Sequence, residues 1–482
     1  MVGEVIDGAR PRAVVLVGGP AAPYSRAIRI ARSLAAEGYA VEIAAAAARG
    51  LADREVVAGP APGSTGEPEP GRAAIGPIEL RRYQPSGPWA ILGASEAAIG
   101  AAPAAPPATG PWPETESRQP SAVSKTRAVR RTARAIAVPF LLARRWIFWP
   151  HTVRGLWATL ARELAPADIY HACGSLTIAA ALAARERHPT GPSGRPTRVI
   201  YDAIDDVADS NAALALPGPF RRRNAQVEAS WARSADSVVT VNDALAERLL
   251  ARWRLARPPL VVANLPEPPD PAVAAALARP SDLLRTAAGL PPTTRIVLFQ
   301  GRLGPGLGLD EAAEAVLAVP DAALVLLGFG RGLEASLARD RDPRFAGRHV
   351  TLPARHPDEL LAWTASADVA IIPLPPVSMN QRLSTPNKFW EALAAGTPVV
   401  VVAGLEVMER VVREHDLGAT AASIEPADIA AALSAVLDRQ ASEGDAWRRR
   451  IARTSAERFG WPTAATAYRA MVRSIATDGN RG

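Results

Sequence analysis

Short apolar runs recur along this chain. Each ends in glycine, a charge or a polar side chain, and helical periodicity fills the stretches between them. A parallel sheet covered by helices on both faces accounts for that pattern, because its strands are buried on both sides and its ligands gather at their C-terminal ends. The first series opens with Ala13–Val17, the turn GGPAAP, a helix carrying Ala27, Ile30, Ala31 and Leu34 on one face, a stop at Gly38 and a strand at Val41–Ala45. It resumes at Asp168–His171, Val199–Asp202, Val238–Val241 and Val261–Ala263, with helices such as Leu245–Trp253 between. A second series runs through Ile296–Phe299, Ala323–Leu327, Val350–Leu352, Val369–Ile372 and Val399–Val402.

Two series predict two doubly wound α/β domains facing a cleft, and 482 residues require more than one domain. The expected division is a first domain over 1–270, a linker over 271–293, a second domain over 294–462, and a terminal helix and tail over 463–482. Seven prolines in 265–293 place the hinge. Residues 53–76 and 95–122, rich in Pro, Gly, Ala and Ser, read as long loops, and 446–475 reads as an amphipathic helix broken by Pro462.

The 48% hydrophobic content supports a packed core. The lone Cys173 excludes an intramolecular disulfide and suits a reducing compartment. The N-terminus lacks a basic n-region and no run of 18 apolar residues occurs, so a cytoplasmic protein is expected. The net charge is +7, almost wholly from arginine; the two lysines are Lys125 and Lys388. No nucleic-acid module accompanies that charge, so no nucleic-acid partner is expected, and anionic lipid or phosphorylated substrates rank higher. Residues 125–154 mix arginines with aromatic and aliphatic residues and contain no acid. They read either as a helix packed on the first domain with arginines outward, or as a peripheral contact with an anionic membrane such as the inner face of the cell membrane.

Three segments of the second half could carry chemistry. In Ser384–Val400, STPNKFWEALAAGTPVV, Thr385 can cap a helix, Pro386 suits its first position, and Gly396 and Pro398 end it. Its N-terminus offers free N–H groups to a diphosphate, Lys388 adds a charge in the first turn, and Glu391 can accept from ribose hydroxyls. The plain alternative is a capped helix with a surface Lys–Glu pair. Gly301–Gly308, GRLGPGLG, could hold a phosphate through Arg302 and close backbone approach, or be a flexible βα turn. Gly328-Phe329-Gly330 follows the next strand; alone it is a common structural turn.

In order and spacing, FQGRLGPGLGL, LLGFGRG, ADVAIIPL and STPNKFWEALAAGTPVV resemble the donor domain of the GT-B glycosyltransferases, in particular retaining family 4 in its "PNK" form. YSRAIRIARSLAAEGYAVEI, PADIYHACG, VIYDAIDD, ADSVVTVNDALAERL, VVANLPE and the terminal RFGWPTAATAYRAMV resemble its first domain and its helix that crosses back. The resemblance implies a nucleotide-sugar donor, an acceptor that is a saccharide, a lipid-linked molecule or a small molecule, and no cofactor or metal. It puts Arg302 on the diphosphate, with Gly301, Ser384, Thr385, Pro386, Asn387 and Lys388 beside it. Glu391 then holds the ribose, and Gly328 and Gly330 let the nucleotide pack on the backbone. His171, Cys173, Asp202 and Asp205 are expected to face the cleft, with His171 and Asp205 as the catalytic candidates.

Three family positions depart: Cys173 stands where His or Asp is common two residues after His171, and two donor contacts are missing. Leu383 stands where a sugar-contacting Glu is common, and Leu307 where a second basic residue is usual; Lys388 and Arg382 are the candidate substitutes. The leading reading is therefore a metal-independent glycosyltransferase of surface polysaccharide, lipid-linked glycan or glycoconjugate synthesis. A non-catalytic nucleotide-binding or partner subunit is the alternative. A nicotinamide-dependent oxidoreductase is a third reading, opposed by the absence of GxGxxG after Ala13–Val17.

Overall fold

The computed structural model describes residues 10–19, 21, 25–47, 51–58, 77–83, 161–269, 273, 277 and 281–477. The first sheet contains β1 (Arg12–Val17), β2 (Ala40–Ala46), β3 (Arg54–Ala58), β4 (Ile78–Tyr83), β5 (Ile169–Cys173), β6 (Arg198–Asp202), β7 (Ser237–Thr240) and β8 (Leu260–Val261). Their order is β3-β4-β2-β1-β5-β6-β7-β8, parallel throughout except for β3 against β4. The second sheet contains β9 (Arg295–Arg302), β10 (Ala322–Phe329), β11 (His349–Pro353), β12 (Val369–Ile372), β13 (Val399–Val402) and β14 (Gly418–Ala421). It is wholly parallel, in the order β11-β10-β9-β12-β13-β14. Each order reverses once, at β1/β5 and at β9/β12, and such switch points open a crevice at the strands' carboxyl ends.

Every strand expected from an apolar run is present. Three others were not expected. Arg54–Ala58, inside the stretch read as a loop, is β3; it is an edge strand held antiparallel on β4, and its charges hide it from any apolar count. IELRRY of β4 alternates buried and exposed positions, and GATA of β14 has almost no apolar run, so pairing with a neighbour makes both. Residues 59–76, the stretch 95–122 and the basic segment 125–154 lie outside the described residues.

A helix Leu283–Ala288 sits within the stretch read as linker, and Leu284 packs on Ile296, Leu298 and Leu352 of the second sheet. The C-terminal break falls at Phe459–Gly460, between helices Asp445–Arg458 and Trp461–Thr477. Pro462 opens the second helix rather than breaking a longer one, because its missing N–H is no loss in a first turn. Trp461, Ala464, Ala465, Tyr468, Val472 and Ile475 form that helix's buried stripe. The stripe carries the helix back to the first domain, where it lies on the helix Ser25–Ala36. Arg473 meets Glu37 there at 2.6 Å.

Candidate active site

The site at the second switch point begins with β9. The strand runs three residues further than expected: Gly301 and Arg302 are its last ladder positions, opposite Gly328 and Phe329 of β10, rather than part of a turn. Arg302 is exposed and makes no hydrogen bond or ion pair with any described residue. Across from it the helix Asn387–Ala394 starts with Pro386 as N-cap (φ −65°, ψ 152°) and without a side-chain cap. The expected cap at Thr385 is therefore absent. Its hydroxyl is buried with no hydrogen-bond partner, and Ser384 donates instead to the Gln381 carbonyl at 3.0 Å. A helix entered from proline presents its first N–H groups uncapped, which suits an anion.

Lys388 and Glu391 do not form the surface pair of the plain alternative. The Lys388 ammonium lies 3.5 Å from the centroid of the Phe299 ring. Burial pushes its pKa down to about 7; Glu391 opposes that shift and Arg302 adds to it. Gln300 Nε2 donates to Glu391 Oε2 at 2.8 Å, and Thr364 donates to Gln300 Oε1 at 2.6 Å. Burial raises the Glu391 carboxyl, while Gln300, Arg29 and Lys388 pull it back. Strand β9 thus supplies the cation at its end and orients the acid beside it.

The glycines serve the protein itself. A Cβ on Gly328 would meet the Gly301 carbonyl oxygen and the Leu303 side chain. Gly330 has φ +119°, and its Cβ would lie 2.7 Å from the Leu303 carbonyl oxygen. Close packing between the ends of β9 and β10 already demands glycine at both positions, before any nucleotide is considered. Leu307, at the position of the second basic residue, packs on the core.

The first-domain residues separate into core and cleft. His171 and Asp202 do not face the cleft; both are fully buried. Arg26 grips Asp202 through Nε–Oδ2 and Nη2–Oδ1, each 2.8 Å, and donates a third bond to the Val262 carbonyl. His171 Nε2 is 3.3 Å from Asp202 Oδ2, and its Nδ1 is 3.0 Å from the Tyr468 hydroxyl on the crossing helix. Burial alone would raise the Asp202 carboxyl, but Arg26 and His171 outweigh it and hold the pKa at about 2. His171, Cys173 and Asp202 bring ligand atoms within 4.8 Å of one another. Arg26 already holds both Asp202 oxygens, so a guanidinium occupies the place a divalent cation would need.

Cys173 and Asp205 do reach the cleft. Both line a crevice of about 360 Å³ at the β1/β5 switch point, with Gly18, Gly19, Ser175 and Leu176. Burial pushes the Cys173 thiol well up, so it stays protonated. Asp205 is exposed there and accepts from Asn380 Nδ2 at 3.2 Å. Asp206, two-pronged on Arg252 and bonded to Arg248 at 2.6 Å, offers its backbone N–H to Asn380 Oδ1 at 2.7 Å. Asn380 therefore spans the cleft from the second domain.

The segment carrying Asn380 also explains Leu383. Its side chain is buried, and its carbonyl accepts from Asn242 Nδ2 at 2.9 Å, so this position docks on the first domain. Arg382, one candidate substitute, is held by Glu406 at 2.6 Å. Sequence reasoning missed three residues here. Asn380 carries no motif, and Asn242 and Arg29 lie in first-domain stretches that were not read as site residues. Arg29 donates to Asn264 Oδ1 at 2.6 Å, and Asn264 in turn donates to Asn387 at the start of the helix Asn387–Ala394.

Residues 294–439 match the family described as glycosyl transferases group 1. Among curated relatives, D-inositol 3-phosphate glycosyltransferase of Mycobacterium marinum is 28% identical over 59% of this chain and 60% of its own length. Glycogen synthase of an Anaeromyxobacter species is 32% identical over 40% and 41%. The matched region thus spans less than two thirds of either relative. Among solved structures, sucrose-phosphate synthase of Thermosynechococcus elongatus has a TM-score of 0.58 at 18% identity, covering 97% of this chain and 99% of that one. HepE of Anabaena, solved in complex with UDP, has a TM-score of 0.56 at 13% identity, covering 96% and 100%. Residues 294–439 match the group 1 glycosyl transferases and lie in the second half of a chain that has the two-sheet GT-B fold.

Proposed function

We propose that this protein transfers a sugar from a nucleoside-diphosphate sugar to an acceptor hydroxyl, with retention of configuration at the anomeric carbon. One observation carries the reading: Arg302, unpartnered among the described residues, stands beside the half-buried Lys388 amine and the uncapped start of the helix Asn387–Ala394. Two cations and a helix N-terminus form a site for a diphosphate, and they neutralise the charge that develops as it leaves. Glu391, aimed by Gln300, is suited to ribose hydroxyls. The anomeric C–O bond to the diphosphate breaks, the acceptor oxygen bonds to the same face, and its proton passes to the departing phosphate oxygen. Asp205, at the cleft's opposite wall, orients the acceptor. His171, with both ring nitrogens engaged, acts by holding Asp202 and Tyr468 together rather than at the reacting atoms.

HepE was solved with UDP and with UDP-glucose, so UDP is the first nucleotide to test. Surface polysaccharide, lipid-linked glycan or another glycoconjugate is the proposed product class, made at the cytoplasmic face of the cell membrane. No helix among the described residues is long and apolar enough to cross a membrane, so attachment would be peripheral, through 125–154. Calorimetry with UDP, GDP, dTDP and NAD, followed by nucleotide release from the matching sugar donors, tests the reading. We expect a nucleoside diphosphate to bind and its sugar donor to turn over. Binding of NAD alone would overturn the proposal. Binding without any turnover would favour the non-catalytic alternative, for which Leu383, docked on Asn242 where a sugar-contacting Glu is common, is the supporting observation.

A further inference from the structure

The crevice at the β1/β5 switch point has a definite chemistry. Its walls are mostly apolar or small, among them Leu176, Ile204 and Val207, with Ser175 and Tyr201, and Asp205 is the one charged residue lining it among the described residues. The arginines around it are already committed. Arg26, behind Cys173, gives two bonds to Asp202 and one to the Val262 carbonyl. Arg248 and Arg252, beyond Asp205, are held by Asp206 and Asp209. Asp205 spends Oδ1 on Asn380, and its Oδ2 has no hydrogen-bond partner among the described residues. A phosphate placed in this crevice would meet a carboxylate in an apolar setting and no uncommitted cation among the described residues. A hydroxyl would find an acceptor, and an apolar body would find matching walls.

We infer that the acceptor is an uncharged, partly apolar alcohol whose hydroxyl donates to Asp205, and not a sugar phosphate or a cyclitol phosphate. This rests on the glycosyltransferase reading and goes beyond it by naming the acceptor class. It also separates this chain from the inositol 3-phosphate enzymes among its relatives, whose names specify a phosphorylated acceptor.

Ligand-observed NMR on the full chain saturated with UDP tests it with matched pairs: phenyl glucoside and its 6-phosphate, glucose and glucose 6-phosphate, inositol and inositol phosphate. The uncharged members are expected to bind at least about tenfold more tightly, phenyl glucoside best. Asp205→Asn is expected to narrow that gap, and Asp205→Lys to reverse it, while the affinity for UDP stays within twofold in both. Tighter binding of the phosphorylated members, or binding by no member of any pair, would overturn the inference. UDP titration is the separate arm: failure of any nucleotide to bind sinks the glycosyltransferase reading itself, whereas UDP binding with a preference for phosphorylated acceptors sinks only the acceptor class.

Discussion

The hydroxyl of Tyr468, on the helix that closes the chain, lies 3.0 Å from Nδ1 of His171 in the middle of the first sheet. Their rings meet edge to face at 5.5 Å. The other His171 nitrogen contacts Asp202, which Arg26 grips, so three distant stretches of chain are bound in one buried unit. That unit fixes the crossing helix to the first domain.

Removing one member should show how unevenly that unit carries stability. Arg26→Leu leaves Asp202 as an uncompensated buried carboxylate and is expected to cost about 3–5 kcal/mol, whereas Tyr468→Phe loses a single hydrogen bond and should cost about 1 kcal/mol. The folded Asp202 pKa of about 2 lies below its ordinary value of 3.8, so its stabilisation is complete above pH 4 and is lost as pH falls toward 2. Urea denaturation at pH 7 and pH 3 checks both statements. Equal losses for the two variants would contradict the arrangement.

Nucleotide binding should depend on pH through Lys388. Its pKa in the free protein is about 7, and a diphosphate beside it favours the charged form. Binding above pH 7 must therefore take up a proton, and affinity should fall by up to about tenfold per pH unit between 7 and 9. Calorimetry in two buffers of different ionisation enthalpy reads the proton directly. Lys388→Ala should weaken binding and abolish the slope; a slope that survives the substitution would assign it to another group.

Glu391 and Gln300 should act in series. Glu391→Ala is expected to weaken nucleotide binding by about 1.5–3 kcal/mol, the worth of hydrogen bonds to a charged acceptor, and Gln300→Ala by less because it only aims the carboxylate. In the double variant the Gln300 effect should vanish. Additive losses measured by calorimetry would mean that the two residues act separately.

Gly328→Ala separates two roles for glycine. Its Cβ would strike the Gly301 carbonyl oxygen and Leu303, so overpacking of about 1–3 kcal/mol is expected in thermal unfolding with no nucleotide present. A variant of unchanged stability that had lost only nucleotide affinity would return this glycine to the role of admitting the ligand.

Leu383→Glu would not restore a sugar contact. The position is buried against the first domain, with its carbonyl on Asn242, so an introduced carboxylate must be desolvated or must push the domains apart. We expect a lower melting temperature and no gain in donor affinity. A gain in both would show that the segment 378–384 can leave the first domain.

The sequence by itself determined the two sheets, because strands buried on both faces must be apolar along their length: AVVLV, VIYD, ALVLL and VVVV announce themselves wherever they occur. It also pointed to the proposed diphosphate site, since Gly301-Arg302 after an apolar run and a helix entered through Pro386 are local features. Edge and small-residue strands such as β3 and β14 stayed hidden, because partners far along the chain make them strands. Only the tertiary structure decided which strand-end residues face the cleft. His171, Asp202 and Asp205 look alike as polar side chains near strand ends, yet Arg26 and Tyr468, brought from opposite ends of the chain, neutralise and bury the first two. Asp205 is left at the surface to meet Asn380 from the other domain. Charge pairing across hundreds of residues is invisible in sequence spacing, and it settles which carboxylate is structural and which is open to a ligand.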